Sequence, residues 1–436
     1  MHLLNLIISW LDAIPAVVRI LLVFGLILPA IRRGWSLGSA FLAGAAALGV
    51  LFGMAPLQIL RSAAAALIHP QTVGLALVVS LILVFSHALE KSGQMARLLE
   101  SFRGLIRNPR ISLVIFPALI GLLPMPGGAI FSAPMVKSLG RGHPLTQSQL
   151  SYINYWFRHI WEYWWPLYPG ILLTTALAGI DVWLLVLFTA PLSVVAVIVG
   201  YWPLRGAMQP PGRGTGREDL GPFLKELAPI AGVILMGLLF GVVLGSLKWA
   251  VIRPVAKELG LIAALLIVVF WVWRSNRMSW KARWAILKDR ALLKMIYMVA
   301  AILVFKGILE DSSAVDMVSG EMLRWNIPLM PIAMLLPFLV GMVVGITIAF
   351  VGTTFPILIS LIQTLDQGAL MLPYLMLALA CGFVGVLVSP LHLCLMLSNE
   401  YFHTTLAPVY RHMRIPLLAL TLAAVSYFGL LRWLML

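Results

Sequence analysis

Two apolar stretches of this chain, 109–140 and 329–365, are long enough to enter a bilayer, yet each is broken in the middle by helix-disrupting residues. The interruptions are Pro124-Met125-Pro126-Gly127-Gly128 in one and Val351-Gly352-Thr353-Thr354-Phe355-Pro356 in the other. Each half is shorter than the roughly 20 residues that a helix needs to cross about 30 Å of hydrocarbon. The natural reading is a re-entrant hairpin, which enters, turns at mid-depth and leaves on the same side. Such a turn exposes unpaired backbone groups, so it must be buried in protein or line a wet cavity. Around the two stretches lie segments long enough to span, near 14–31, 36–56, 71–90, 147–178, 182–203, 225–246, 259–274, 291–310, 368–390 and 405–436. The predicted fold class is therefore an all-α polytopic membrane protein, with about ten transmembrane helices and two re-entrant hairpins.

Composition agrees. Hydrophobic residues make up 61% of the chain and charged residues 11%, against about 25% charged in a soluble domain. That excludes a soluble enzyme, a disordered scaffold and a secreted disulfide module. Cys381 and Cys394 sit in apolar sequence and form no ligand or redox motif. No metal site and no cofactor motif is expected. Met1-His2-Leu3-Leu4-Asn5 lacks a basic n-region, so no cleaved signal peptide is expected.

A net charge of +15 would suggest a nucleic-acid partner in a soluble chain. Here the cations mark orientation. With the N-terminus outside, 22 of the 31 Lys and Arg residues fall in cytoplasmic loops, and the opposite orientation would invert that ratio. The expected location is a prokaryotic cytoplasmic (inner) membrane, with no nucleic acid bound. The stretch 274–290, with Trp280 and Trp284 among its cations, reads as an amphipathic segment on the membrane surface.

Residues 82–92, ILVFSHALEKS, and 302–312, ILVFKGILEDS, match at seven of eleven positions with an offset of 220. About one chance match is expected in such a window, so the pair marks an internal repeat. A broken hairpin follows each copy, and a second break follows each hairpin, at Trp165-Pro166 and at Ser389-Pro390. The first repeat is placed at 1–203, with its hairpin at 109–140 and a broken helix at 147–178. A cytoplasmic linker covers 204–224. The second repeat is 225–436, with its hairpin at 329–365 and a broken helix at 368–402. Five crossings per copy is odd, so the second copy is inserted upside down. This is the inverted-repeat plan of secondary transporters, whose sites lie at helix discontinuities.

Asn154-Tyr155-Trp156-Phe157-Arg158-His159-Ile160-Trp161-Glu162-Tyr163-Trp164-Trp165-Pro166 holds four of the fifteen Trp residues around an Arg, a His and a Glu. At helical spacing Tyr155, Arg158, His159 and Glu162 share a face, with Trp165 one turn further on. Ionisable groups inside a membrane are functional candidates because each is costly unless it faces protein or water. Arg158 offers a fork to a carboxylate or phosphate, and His159 and Glu162 can carry a coupling proton. The competing reading is a structural Arg158–Glu162 ion pair at i,i+4 within an aromatic belt. In the second half Ser389, His392, Thr353 and Thr354 are candidate ligands, and Gly127 and Gly128 stand at the first hairpin tip. Asn154, Tyr155 and Trp165 complete the proposed substrate set. Ser398-Asn399-Glu400 reads as a cytoplasmic helix end. Gly237, Gly241 and Gly245 have the spacing of a close helix contact, as do Gly49 and Gly53.

Hairpin, broken helix and inverted second copy together resemble the ion transporter superfamily, which includes citrate, C4-dicarboxylate, gluconate and short-chain fatty acid carriers. The segments LLPMPGGAIFSAPMV, NYWFRHIWEYWWPLYPG and VSPLHLCLMLSNEYF are similar to an uncharacterised prokaryotic integral-membrane family within it. The resemblance implies a homodimeric elevator, with a rigid scaffold and a sliding transport unit. Dicarboxylate carriers of the superfamily hold carboxylate and sodium with Ser-Asn-Thr at both tips, where this chain has Met125-Pro126-Gly127-Gly128 and Gly352-Thr353-Thr354. The expected function is secondary transport of a small carboxylate-like anion coupled to protons or sodium, with no cofactor expected other than bound sodium. The alternatives are a translocator of lipid or a lipid-linked intermediate and, less well supported, an intramembrane enzyme; no H-E-x-x-H motif is present.

Overall fold

A computed structural model describes residues 14–103, 108–123, 128–141, 143–205, 220–246 and 256–436. Among them the regular structure is all helical, without strands, and the α-helices fall into two series of ten. The first is α1 (Ala16–Arg32), α2 (Leu37–Leu51), α3 (Pro56–Ile68), α4 (Pro70–Lys91), α5 (Gln94–Arg103), α6 (Pro109–Gly121), α7 (Ala129–Gly140), α8 (Gln147–Arg158), α9 (Pro169–Ala178) and α10 (Val182–Tyr201). The second is α11 (Gly221–Ser246), α12 (Ala256–Ser275), α13 (Trp280–Leu287), α14 (Arg290–Asp311), α15 (Ala314–Arg324), α16 (Leu329–Val344), α17 (Thr347–Thr364), α18 (Met371–Val388), α19 (Leu393–Tyr401) and α20 (Leu406–Met435).

Local sequence chemistry sets many of the boundaries. Thr146 opens α8 with a capping box, its hydroxyl accepting from the Gln149 N–H at 3.3 Å while Gln149 Oε1 accepts from the Thr146 N–H at 2.9 Å. Pro169 starts α9, where a missing N–H costs nothing. Gly179, at φ +64°, ends it. The Asp181 carboxylate then caps α10 through the Trp183 and Leu184 N–H groups.

The two series correspond helix by helix. Starts differ by 220 residues at α4/α14 and α6/α16, and by 224 at α8/α18, α9/α19 and α10/α20, so the four-residue change falls in the hairpin. Packing repeats as well: α2 lies on α14 and α12 on α4, α6 on α8 and α16 on α18, α9 on α17 and α19 on α7. Even backbone crossings recur. A Cβ at Gly121 would collide with the carbonyl of Arg158, and one at Gly341 with the carbonyl of Gly382. The residues of the sequence repeat are the buried ends of α4 and α14. Ile82, Phe85 and Leu89 are at most 1% exposed, as are their mates Ile302, Phe305 and Leu309.

The turns that follow carry a prediction. Ser92 and Ser312 donate to the Leu89 and Leu309 carbonyls at 3.2 and 2.9 Å. The next residue is left-handed in both copies, Gly93 at φ +70° and Ser313 at φ +55°. An L-residue there costs roughly 1 kcal/mol more than glycine. Ser313→Gly should therefore raise stability by about 1 kcal/mol and Gly93→Ser lower it by about as much. Thermal melting of the purified protein in detergent reads both, and an unchanged melting temperature in both would refute the shared geometry.

Eight helical segments are long and apolar enough to cross a membrane by length and composition, among the described residues. The difference from ten has identifiable sources. The spans expected at 14–31 and 36–56 are helices of 17 and 15 residues. The expected 147–178 helix is two pieces of 12 and 10 residues. Conversely Thr347–Thr364, expected as part of a broken hairpin, is one continuous apolar helix. The sequence reading also overlooked α3, the repeat mate of surface segment α13. Both present large apolar residues outward, Leu57, Leu60 and Ile68 in α3 and Trp280 and Trp284 in α13.

The break expected at 351–356 lies instead at Gly345-Ile346, where Gly345 has φ +72°. Residues 351–356 are helical. Thr353 and Thr354 return their hydroxyls to the Ala349 and Phe350 carbonyls of their own helix at 2.9 and 2.7 Å. Gly352 is small because Ile302 of α14 packs onto it, with a Cβ there 3.1 Å from Ile302 Cγ1. In the glycine series of α11, Gly241 meets another backbone, with Gly260 of α12 crossing directly over it. Gly245 has open space around it. Residues 206–219 of the assigned linker and 124–127 of the first hairpin tip, Gly127 included, lie outside the described residues.

Candidate functional site

The first break is the charged segment itself. Helix α8 stops at Arg158, His159 is its C-cap, and residues 159–168 form turns before α9. The helical face proposed for Arg158, His159 and Glu162 therefore does not exist, and the turn redirects Glu162. Its carboxylate accepts from the Thr347 hydroxyl at the start of α17, at 2.8 Å, and lies 3.7 Å from His159 Nε2. The second break, 389–392 between α18 and α19, meets the first. His392 is the N-cap residue of α19, and its Nε2 sits 3.2 Å from Nε2 of His159.

The aromatic residues that crowd this segment serve the broken helices. An interrupted helix leaves its last carbonyls without intrahelical partners. Tyr155 donates to the Leu387 carbonyl at 3.1 Å and Tyr410 to that of Val388 at 2.9 Å, both at the end of α18. Trp161 and Tyr168 donate to the Ala118 and Gly121 carbonyls near the end of α6 at 2.6 and 2.5 Å. Ser193 of α10 donates to the Ile160 carbonyl in the turn. Trp156 and Tyr152 anchor α8 to the Ala196 and Gly200 carbonyls of α10 at 2.9 and 2.6 Å.

A cleft of about 600 Å³ opens where the breaks meet. One wall carries Arg158, His159, Glu162, Tyr168, Thr347, His392 and Cys394; the other is formed by Gly34, Ser36, Leu37 and Gly38, at the turn into α2 and its start, and by Lys294, Met295, Tyr297 and Met298 of α14. Arg158 is 3% exposed, and its guanidinium lies against Gly128 at the start of α7, where a Cβ would come within 2.6 Å of both terminal nitrogens. Only a glycine lets that hairpin approach so closely.

Several proposed ligands sit elsewhere. Asn154 is fully buried and donates to the Ala129 carbonyl at 3.0 Å and to Ser398 at 2.8 Å, tying α8 to α7 and α19. Ser151 donates to Asn399 at 2.6 Å. Ser398 and Asn399 do stand in the last turn of a helix, α19, and are buried there as ties between the repeats. Tyr155 packs its ring against both histidines behind the cleft. Trp165 belongs to a cluster with Trp161 and Trp164. Thr353 and Thr354 are committed to their own helix, and the Ser389 hydroxyl accepts from the Leu391 N–H at 3.3 Å.

Sequence reasoning missed Cys394, Thr347 and the α14 wall. The available signal was His392-Leu393-Cys394, two donors two residues apart immediately after a break. The repeat also isolates the chemistry. Applying the 224 offset, Arg158, His159 and Glu162 correspond to Gly382, Phe383 and Val386, while His392 and Cys394 correspond to Tyr168 and Gly170. A nearly symmetric frame therefore holds an asymmetric set of ionisable groups.

The family model described as "Protein of unknown function (DUF401)" matches residues 17–430, so the chain belongs to that family. No curated protein matches it.

Proposed function

We propose that this DUF401-family chain is a secondary active transporter of a small carboxylate-like anion, driven by protons or sodium, rather than an enzyme. The observation that carries this reading is the cleft at two meeting helix breaks, with Arg158 on one wall and Lys294 on the other. Among the described residues Glu162 is the one carboxylate on the lining, and it accepts from the Thr347 hydroxyl. Two cations around a held carboxylate favour an anionic solute. The paired repeats support an inverted arrangement, and the loop distribution of Lys and Arg supports an N-terminus outside a prokaryotic cytoplasmic membrane. The site lies on a seam between the broken helices and the α1–α2 and α14 wall. That placement supports an elevator, in which the broken-helix unit slides along a dimeric scaffold.

A second reading, lipid translocation, is favoured by an apolar cavity of about 300 Å³ between α11, α12 and the Pro166–Trp183 region. The Lys257–Asp181 ion pair, at 2.5 Å, borders it, and α11 is largely uncovered. Uptake into proteoliposomes of a panel of carboxylates, phosphates and amino acids, under imposed proton or sodium gradients, separates the two. Gradient-dependent uptake of a carboxylate is expected. Movement of labelled lipid with no solute uptake under either gradient would overturn the carrier reading in favour of the second.

A further inference from the structure

The two histidines of the cleft face each other nitrogen to nitrogen beside a cysteine. His159 Nδ1 lies 2.5 Å from the Tyr155 carbonyl, an acceptor only, so Nδ1 carries the hydrogen and Nε2 of the neutral ring presents a lone pair. That lone pair points at His392 Nε2, 3.2 Å away. His159 and His392 are 2% and 7% exposed, so the two nitrogens face each other out of bulk water. Cys394 closes the group: single donor atoms of His159, His392 and Cys394 all lie within 4.8 Å of one another.

We propose that His159, His392 and Cys394 bind a zinc(II)-class transition-metal ion, with Glu162 as the fourth, oxygen ligand. Two imidazole nitrogens on a tetrahedral zinc ion, each at about 2.0–2.1 Å, stand about 3.3 Å apart. The observed pair is at 3.2 Å, and Glu162 Oε1 is 3.7 Å from the same His159 nitrogen. The sulfur has to close in by roughly an ångström to reach the usual zinc–thiolate bond of about 2.3 Å. The surroundings are those of a metal-ligating histidine, whose second ring nitrogen donates to a backbone carbonyl; here that carbonyl is Tyr155. Glu162 is likewise oriented from outside, by Thr347. Thiolate and imidazole together select a borderline or soft cation over sodium or magnesium. The charges balance: binding releases the Cys394 thiol proton, and thiolate plus carboxylate neutralise the divalent ion. Arg158 and Lys294 add positive charge to the cleft lining.

The proposal stands on the ligand set and does not need the transport reading, because binding is measured without solute or gradient. Purified protein in detergent is titrated with cobalt(II) as the spectroscopic probe, and with zinc(II) by calorimetry. One equivalent of cobalt should bind, giving a near-ultraviolet thiolate-to-metal charge-transfer band and intense visible bands typical of tetrahedral geometry. Cys394→Ser should lose the charge-transfer band and weaken zinc binding on the order of 100-fold, whereas Cys381→Ser should change neither. On the wild-type protein, zinc should slow maleimide labelling of Cys394 relative to denatured controls, a readout independent of whether any variant folds. No saturable one-equivalent binding, an octahedral cobalt spectrum without the thiolate band, or a band that survives Cys394→Ser would each overturn the proposal.

Discussion

Arg158→Ala is expected to reduce solute uptake by about 100-fold while the protein remains folded and monodisperse in detergent. A charge-assisted hydrogen bond is worth roughly 1.5–3 kcal/mol, and an Arg fork supplies two to one carboxylate. Losing them costs about 3 kcal/mol, or about two powers of ten in affinity. Arg158→Lys keeps the charge and loses the planar fork, so uptake should fall by about tenfold, mainly through a weaker half-saturation constant. Gly128 is part of the same arrangement. Any side chain there meets the guanidinium, so Gly128→Ala should lower uptake with Arg158 intact. Full uptake with unchanged affinity in Arg158→Ala would remove the anion role from this residue and leave it as a brace for the hairpin.

The second large effect concerns stability. Helices α6 and α8 touch backbone to backbone at Gly121 and Arg158, and α16 and α18 do so at Gly341 and Gly382. A methyl group at Gly121 or Gly341 strikes a carbonyl oxygen, which cannot swing aside as a side chain can. Overpacking of this kind costs about 3 kcal/mol. Association of helices in a bilayer rests largely on such close approach. Gly121→Ala and Gly341→Ala should therefore each lower the melting temperature markedly and reduce the recovered monodisperse protein. Gly320, inside α15, has open space around it, so Gly320→Ala should be neutral or stabilise by about 0.5–1 kcal/mol. Equal melting behaviour for all three variants would contradict the crossing geometry.

These crossings bear on what a reader of the sequence can and cannot see. The repeat was legible because ILVFSHALEKS and ILVFKGILEDS are buried helix ends under the same packing demands, so both copies keep the same apolar side chains. The remaining correspondence, Gly121 with Gly341 among it, is carried by single residues amid unrelated neighbours, and coordinates are needed to align them. The break at Ser389-Pro390 was legible because proline stops a helix locally. The break expected at Val351–Pro356 was misplaced for an equally local reason. Glycine, threonine and proline read as disruptors, whereas Gly352 makes room for Ile302 and the threonine hydroxyls bond back to their own helix. Arg158, His159 and Glu162 stood out by their scarcity in an apolar chain. Their shared helical face did not survive, because α8 ends at Arg158. Cys394 passed unnoticed because its histidine neighbour His159 lies 235 positions earlier in the chain, and spacing along the chain carries no trace of that contact.

On the carrier mechanism proposed above, the cleft between the two breaks faces the two sides of the membrane in turn. Cys394 lines that cleft and reports on it once the other cysteine, Cys381, is replaced by serine. Sealed vesicles of known orientation, first stripped of metal with a chelator on both sides so that no ion protects the thiol, are treated with a membrane-impermeant maleimide from one side or the other. The account predicts labelling of Cys394 from either side, slowed by the transported carboxylate. Labelling from a single side under every gradient, indifferent to any solute, would show a site with fixed access and contradict the carrier mechanism.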